Sequence, residues 1–372
     1  MNKITKIILT TTLAATITTS ISQAATSITK QNKITSITAA GSSFIFPVMS
    51  KWTPQYANKT GVKINYQPIG SGGGIQQFKS HTIDFAGSDE PLRIQDLNKI
   101  KAIQFPMVIS GIVPIYHINI HYKQPKKIHK TPTLNLSGPV LAQIYQGIIS
   151  KWNDLKIQKL NPDLSLPNRR ILTVHRADGS GTTFNFTNYL SSVSKNWKNK
   201  VGFSTVVAWP GKLNMGAKGN AGVAAQVQSL PNSIGYVEYA YAKSNKLQIA
   251  NMYNKDNKKS PITPNLRSFA AAARNAKWDS KTGFYQILTN QPGKDSWPIV
   301  ATTFILLPKA ETGKANKNAT SIASICFFNW AFNNGNNMAK QLNYIGMPKN
   351  VQDQIRKVWE INYPSYNNQC PK

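Results

Sequence analysis

The chain has 372 residues and carries 44 Lys and Arg against 14 Asp and Glu, a formal net charge of +30. With 41% hydrophobic and 10% aromatic residues, it can fill the cores of about two domains, which excludes a disordered chain. The charge does not indicate nucleic-acid binding, because the lysines are scattered through polar stretches and no nucleic-acid-binding motif accompanies them. We interpret it as a solvated basic surface that raises the local concentration of anionic ligands.

The first 24 residues have the pattern of a cleaved export signal. Lys3 and Lys6 precede an apolar, Thr-rich stretch over 7–21, and Ser22-Gln23-Ala24 has the small residues of a cleavage site. The alternative, a membrane anchor, is disfavoured because a stable span needs about 20 apolar residues. The sequence therefore predicts that residues 1–24 are removed and that the mature chain is exported.

Predicted strands and helices alternate along the mature chain. Strands are predicted over 34–40, 62–68, 83–87, 105–118, 171–174, 234–239 and 297–307, and helices over 47–58, 75–81, 139–146, 183–193, 222–230, 321–333 and 351–361. This alternation is typical of an α/β fold with mostly parallel sheets, in which ligands bind beyond the carboxyl ends of the strands. The long apolar strands 105–118 and 297–307 are expected to cross between two domains in place of a flexible linker.

Three loops rich in Ser, Thr and Gly follow predicted strands and precede predicted helices. They are Gly41-Ser42-Ser43-Phe44, Gly70-Ser71-Gly72-Gly73-Gly74 and Arg176-Ala177-Asp178-Gly179-Ser180-Gly181-Thr182. Such loops present backbone N–H groups and hydroxyls at the positive end of a helix dipole, which suits an anion. Each loop alone is more simply explained as a turn or a helix cap. Together they predict a site that surrounds a small tetrahedral oxyanion.

The candidate donors to this anion come from all three loops. They are the hydroxyls of Ser43, Ser71, Ser180 and Thr182 and the backbone N–H groups of Phe44 and Gly181. Arg176 would add a guanidinium fork that matches two oxygens, and Asp178 would orient that fork and partly neutralise it.

Asp89, which follows the strand predicted at 83–87, narrows the class of ligand. An ionised carboxylate only accepts hydrogen bonds, so among donors it favours an oxyanion that carries a proton. Phosphate near neutral pH is protonated and sulfate is not, and lone pairs facing each other in a dry site would cost several kcal/mol. Taken alone, Asp89 is more simply explained as a turn or cap residue.

The sequence lacks the usual patterns of catalysis. The five histidines have no metal-binding frame, and Gly179-Ser180-Gly181 does not match the Gly-x-Ser-x-Gly elbow of hydrolases. We therefore predict a binding protein with no catalytic residue, metal or cofactor. The alternatives are a binder of another oxyanion such as sulfate or molybdate, an exported phosphatase, and an adhesive surface protein.

Cys326 and Cys370 are the two cysteines. Outside the cytosol two cysteines can pair, and a disulfide here would pin the C-terminal tail to the helix predicted at 321–333. The alternative is one buried and one exposed free thiol. We favour the disulfide, because an exposed thiol is a liability in an oxidising compartment.

Six segments carry a resemblance to a known family. They are Ala40-Gly41-Ser42-Ser43-Phe44, Tyr66-Gln67-Pro68-Ile69-Gly70-Ser71-Gly72-Gly73, Asp84-Phe85-Ala86-Gly87-Ser88-Asp89, the Arg176 loop, Ser233-Ile234-Gly235-Tyr236-Val237-Glu238-Tyr239 and Trp297-Pro298-Ile299. With them the chain resembles the periplasmic phosphate-binding proteins of ABC phosphate transporters, the PstS family, over nearly the whole mature chain. The resemblance implies that phosphate is held by Ser43, Phe44, Ser71, Asp89, Arg176, Ser180, Gly181 and Thr182, with Asp178 as partner of the arginine. Ser43 stands where the family often has Thr, and the serine keeps the hydroxyl group.

The resemblance also implies an architecture and partners. The expected fold is the type II periplasmic-binding-protein fold, with two α/β domains joined by crossing β-strands and the ligand in the cleft between them. We place domain I at 25–109 and 301–372 and domain II at 110–300, with crossings near Ile109 and Val300. The expected protein is a periplasmic monomer that delivers inorganic phosphate to inner-membrane permease subunits driven by a cytoplasmic ATPase.

Overall fold

The computed structural model describes residues 34–124, 131–311, 313, 315–364 and 366–371, and the predicted export signal at 1–24 lies outside them. The strands in these ranges are β1 (Ser36–Gly41), β2 (Lys63–Gln67), β3 (Phe85–Ser88), β4 (Ala102–His117), β5 (His121–Tyr122), β6 (Asn135–Ser137), β7 (Leu164–Ser165), β8 (Leu172–Arg176), β9 (Asn214–Ala217), β10 (Ser233–Glu238), β11 (Gln248–Ile249), β12 (Asn251–Tyr253), β13 (Val300–Pro308) and β14 (Ile345–Gly346).

Helices connect most of these strands. They are α1 (Phe46–Thr60), α2 (Ser71–Lys79), α3 (Ile94–Lys99), α4 (Gly138–Tyr145), α5 (Leu155–Leu160), α6 (Gly181–Val193), α7 (Lys195–Lys200), α8 (Gly219–Ser229), α9 (Tyr239–Ser244), α10 (Leu266–Ala273), α11 (Ala315–Asn334), α12 (Asn336–Gln341) and α13 (Lys349–Asn362), with short 3₁₀ helices at Ser280–Thr282 and Tyr366–Gln369. Within the described ranges, no helix combines the length and the apolar composition needed to cross a membrane.

One continuous sheet runs through the molecule in the strand order β2-β1-β3-β13-β4-β10-β8-β9. We call the part built on β1, β2, β3 and β13 the first lobe, and the part built on β8, β9 and β10 the second lobe. Within each lobe the outer strands are parallel. The predicted parallel pairing therefore holds for the outer strands of each lobe, whereas the centre of the sheet is antiparallel, because β4 is antiparallel to every strand it pairs with and β13 is antiparallel to β3.

Strand β4 belongs to both lobes. It pairs with β13 from Ala102 to Gly111 and with β10 from Ile112 to His117. All of its 16 residues except His117 are buried, which explains its uninterrupted apolar run. Val300, the first residue of β13, pairs with Gly111, so β13 begins where the partner of β4 changes. The predicted domain limits at 109/110 and 300/301 stay a prediction.

The sequence predicts that the glycine-rich stretch after β2 is a loop, but in the structure it is helical. Helix α2 begins at Ser71, so Gly72, Gly73 and Gly74 form its first turn. Helical glycine is tolerated here because the helix packs against the end of β1, where a Cβ on Gly74 would lie 2.4 Å from the Cα of Gly41. Because these glycines have no side chain, the N-terminus of α2 can pack close to the sheet.

The C-terminal segment closes over the first lobe. Cys326 of α11 and Cys370 form a disulfide. Nearby, the ring of Phe105 on β4 makes edge-to-face contacts with Phe328 of α11 and Trp359 of α13. These contacts tie the last two long helices to the shared strand, so the core of the first lobe contains residues from both ends of the described chain.

Candidate functional site

The three loops predicted to surround an anion meet between the lobes. They follow β1, β2 and β8 and lead into α1, α2 and α6, with Ser71 and Gly181 as the first residues of α2 and α6. The N–H of Gly72 in the first lobe donates to the carbonyl of Gly179 in the second at 2.9 Å. A Cβ on Gly181 would lie 2.5 Å from Ser71 Oγ. The two lobes are therefore in direct contact at the site.

The structure brings together every residue predicted for the site. The buried set is Ser43, Phe44, Ser71, Asp89, Arg176, Ser180, Gly181 and Thr182. Asp178 lies beside Arg176, and its side chain is 14% exposed. Hydrogen bonds and charges act more strongly in such a site than in water.

Asp89 follows β3 and is held by two hydroxyls. Ser42 Oγ donates to its carboxylate oxygens at 2.6 and 2.7 Å, and Thr303 Oγ1 donates to Oδ1 at 2.6 Å. Burial raises the pKa of Asp89 to about 6, while the hydrogen bonds from Ser42 and Thr303 and the charge of Arg176 oppose the rise. Near pH 7 the group is therefore mainly a carboxylate, which can only accept.

Arg176 ends β8 and its guanidinium is fixed by Asp178. Arg176 Nε donates to Asp178 Oδ1 at 2.7 Å, and Nη2 forms a second bond with Oδ2. Gly219 N–H also donates to Oδ1, at 3.0 Å. Burial acts to raise the pKa of Asp178, but the guanidinium and the backbone N–H outweigh it and lower that pKa. The third guanidinium nitrogen of Arg176, Nη1, donates to Thr182 Oγ1 at 3.4 Å.

Asn220 of α8 connects hydroxyls from both lobes. Its backbone N–H and its Nδ2 donate to Ser43 Oγ at 3.1 and 2.9 Å, and Nδ2 also donates to Thr182 Oγ1 at 3.2 Å. Because both hydroxyl oxygens accept from Asn220, their own protons are available to a ligand. The arrangement therefore turns two hydroxyls into donors.

Three other predicted donors, Ser71, Ser180 and the N–H of Phe44, also have protein partners in this structure. Ser71 Oγ accepts from the N–H of Asp89 at 3.1 Å, and Ser180 Oγ caps α6 by accepting from the N–H of Thr183 at 3.0 Å. The N–H of Phe44 donates to Ser42 Oγ at 2.9 Å, so an anion that binds it must replace this bond. The contacts of these residues with a ligand stay a prediction.

Four further residues of the site escaped the sequence analysis: Ser42, Asn185, Asn220 and Thr303. Asn185 Nδ2 donates to the carbonyls of Asp89 and Gly181 at 2.7 and 2.9 Å. It lies four residues after Gly181 on α6, so a search for polar residues on the buried face of this helix would have found it. In the described ranges, no cluster of three His, Cys, Asp or Glu side chains could hold a metal.

The fold and the site together define a class of protein. Two α/β lobes that share a crossing strand and enclose a buried polar site between them are the architecture of solute-binding proteins. In agreement, a model of the PBP superfamily domain matches residues 17–332.

Individual relatives narrow the class to a family. The chain is 48% identical over 349 residues to the phosphate-binding protein PstS of Xylella fastidiosa, covering 93% of this chain and 92% of the relative. It is 46% identical over 326 residues to PstS of Haemophilus influenzae, covering 87% and 92%. The chain therefore belongs to the PstS family of the PBP superfamily, which confirms the family predicted from the motifs.

A solved structure with low sequence identity has the same fold. The phosphate-binding protein from Stenotrophomonas maltophilia superimposes with a TM-score of 0.63 at 17% identity, covering 90% of this chain and 98% of that one. The predicted fold class, two lobes joined by crossing β-strands, is confirmed.

Proposed function

We propose that this protein binds inorganic phosphate between its two lobes and delivers it to a membrane transporter without catalysing a reaction. The observation that carries the proposal is one ionised acceptor, Asp89, in a buried site whose other predicted contacts are donors. The relatives in Xylella fastidiosa and Haemophilus influenzae are named for phosphate binding, which supports the same ligand.

The donors proposed to hold the phosphate oxygens come from both lobes. They are the hydroxyls of Ser43, Ser71, Ser180 and Thr182, the N–H groups of Phe44 and Gly181, and the guanidinium of Arg176. Asp178 already neutralises Arg176, so the arginine contributes directed hydrogen bonds more than net charge. Preorganised donors of this kind hold an anion without a matching positive charge.

Asp89 then selects among oxyanions by their protons. A phosphate oxygen that carries a proton donates to the carboxylate, whereas sulfate would present only lone pairs to it. In a site closed to water, that mismatch leaves two acceptors facing each other at a cost of several kcal/mol. We therefore expect strong preference for phosphate near neutral pH.

The proposed cycle uses the two lobes. Binding would draw them together about the crossing strands near Ile109 and Val300, and release would follow docking to permease subunits powered by a cytoplasmic ATPase. Removal of residues 1–24 during export would leave a mature, monomeric protein in the periplasm.

The test is calorimetric titration of ligand-stripped protein near pH 7, first with phosphate and then with sulfate. We expect tight one-to-one binding of phosphate and no measurable binding of sulfate. Asp89→Asn replaces an acceptor with a group that can also donate, so sulfate binding should appear. Asp84→Asn is the matched control, because the carboxylate of Asp84 accepts from the N–H of Thr38 away from the site.

Other outcomes would replace the proposal. Saturable sulfate binding without phosphate binding would change the ligand, and turnover of a phosphomonoester by purified protein would indicate a phosphatase. If the protein bound neither anion, salt-sensitive adhesion that survives Arg176→Ala would indicate an adhesive surface protein.

A further inference from the structure

We infer that Thr303 and Ser42 are positioning residues for anion selectivity, because their hydroxyls keep Asp89 an acceptor and leave its Oδ2 for the ligand. This inference rests on the proposed function, since it concerns how the same site distinguishes phosphate from sulfate. Neither residue is among the predicted ligand contacts.

The hydrogen bonds around Asp89 have a definite direction. A hydroxyl has one proton, and both Thr303 and Ser42 give theirs to the carboxylate. The oxygen of Ser42 also accepts the N–H of Phe44 at 2.9 Å, which fixes the orientation of its proton. Oδ1 accepts from both hydroxyls, while Oδ2 accepts only from Ser42, at 2.7 Å. Oδ2 therefore has more capacity left to accept a proton from a ligand.

The fold places Thr303 beside Asp89 through the antiparallel pairing of β13 with β3. Phe304 pairs with Ser88, so the preceding residue, Thr303, comes opposite Asp89, the residue that follows Ser88. Thr303 pairs with Val108, but the next residue, Phe304, pairs with Pro106, so β4 carries one extra residue at this point. Proline has no N–H to give to the ladder, and bulges of this kind are common next to functional sites. The adjacent Thr302 has a buried hydroxyl with no hydrogen-bond partner among the described residues, so the two neighbours serve different purposes.

The two hydroxyls are important because burial disfavours the ionised form of Asp89. Burial raises the pKa of Asp89, and the two hydrogen bonds act in the opposite direction. The titratable and charged groups that face Asp89 are Arg176, Tyr66, Tyr241 and Tyr344. Of these groups, Arg176 alone is charged near pH 7, because the tyrosine pKa values are all raised. A protonated Asp89 would be a donor and would accept sulfate, so losing a hydroxyl should weaken selectivity at higher pH.

The experiment measures phosphate and sulfate affinity from about pH 5 to about pH 8. For wild type, rejection of sulfate should weaken as the pH falls through about 6. For Thr303→Val, the same weakening should occur about one pH unit higher. Thr302→Val removes a neighbouring buried hydroxyl and should follow wild type, and Thr303→Ser should restore the wild-type profile.

The outcomes separate this inference from the proposed function. If wild type fails to bind phosphate, the proposed function fails and the inference with it. If wild type selects phosphate and the pH profile of Thr303→Val overlays that of wild type, the inference alone is overturned. Should Thr303→Val not fold, Ser42→Ala removes the other hydroxyl and must shift the profile in the same direction. The NMR titration of the Asp89 side-chain carbon in ligand-free protein gives a second readout, and an unchanged midpoint would also refute the inference.

Discussion

The two lobes bring opposite chemistry to one site. The first lobe contributes Asp89, a carboxylate held by the neutral hydroxyls of Ser42 and Thr303. The second contributes Asp178, a carboxylate held by the guanidinium of Arg176. The pKa of Asp89 is raised to about 6, whereas that of Asp178 is lowered. Asp89 is the more deeply buried of the two acids, so the difference reflects both its deeper burial and the neutral charge of its hydrogen-bond partners.

This comparison indicates that the two lobes have different roles in anion binding. The paired guanidinium of Arg176 provides strong directed donors that suit any oxyanion. The carboxylate of Asp89, whose hydrogen-bond partners are neutral hydroxyls, distinguishes oxyanions by whether they carry a proton. We therefore expect changes in the second lobe to reduce affinity for all anions and changes around Asp89 to alter selectivity.

Arg176→Ala should have the largest effect. It removes the charged donor and leaves the partly buried Asp178 unpaired beside the anion, and truncating one partner of a hydrogen-bonded charge pair at a binding site costs about 2–5 kcal/mol of affinity. We expect phosphate affinity to fall by about three orders of magnitude with sulfate still rejected, as measured by calorimetry. Arg169→Ala, at an exposed position outside the site, is the control. A variant that loses selectivity with its affinity intact would contradict the division between the lobes.

Gly181→Ala should prevent the lobes from closing. The added Cβ would lie 2.5 Å from Ser71 Oγ and 2.8 Å from the backbone N of Asp89. Such overpacking costs about 1–3 kcal/mol, which corresponds to a loss of affinity of about tenfold to a hundredfold. Gly222→Ala is the matched control, because its Cβ would meet nothing closer than 3.6 Å. Equal affinities for the two variants would mean that the contact at Gly181 is not required for binding.

Glu238→Gln should change the pH dependence of stability more than affinity. Ser110 Oγ and the N–H of Ala240 donate to Glu238 Oε1, and the whole side chain is buried. Burial raises the pKa of this group from 4.5 to about 8. Between these values the folded protein keeps a proton that the unfolded chain releases, so stability falls as the pH rises.

The measurement for Glu238 is the melting temperature of ligand-free protein at several pH values. The glutamine variant does not titrate, so its advantage over wild type should grow from about pH 5 to about pH 8. Parallel curves for the two proteins would show that Glu238 does not carry the proton. We expect phosphate affinity to change by less than about threefold, since Asn220 contacts only the backbone N–H of Glu238.

Replacing both Cys326 and Cys370 with Ala should leave affinity unchanged. The disulfide closes a loop with a sequence separation of 44 residues, and losing a bridge of this kind costs about 2–4 kcal/mol of stability. Chemical denaturation should report that loss, while calorimetry should give the wild-type phosphate affinity. A parallel loss of affinity would indicate that the tail also supports the site.

The sequence reveals the three loops because their composition is local. Gly, Ser and Thr next to a strand end identify a backbone conformation and a set of donors without knowledge of the fold. The position of Asp89 follows in the same way from the strand that precedes it. These features can therefore be predicted from the order of elements along the chain and the rule that ligands bind at the strand ends.

The residues that escaped prediction depend on longer-range geometry. Thr302 and Thr303 look equivalent in an apolar strand, and the register of β13 with β3 decides which hydroxyl meets Asp89. A shift of one residue turns every side chain to the other face of a sheet. Likewise, Asn220 has its role because α8 of the second lobe contacts Ser43 of the first lobe. The sequence around Asn220 contains no local pattern that predicts this contact.

The position of β13 in the sheet also has a consequence for the order in which the chain folds. This late segment lies between β3 and β4, which precede it by nearly two hundred residues. Until it arrives, β3 and β4 have no partner on their facing edges, and open edges invite pairing with other chains. During synthesis, the first lobe therefore stays incomplete until the segment that begins at Val300 has been made, while the second lobe already has all its strands.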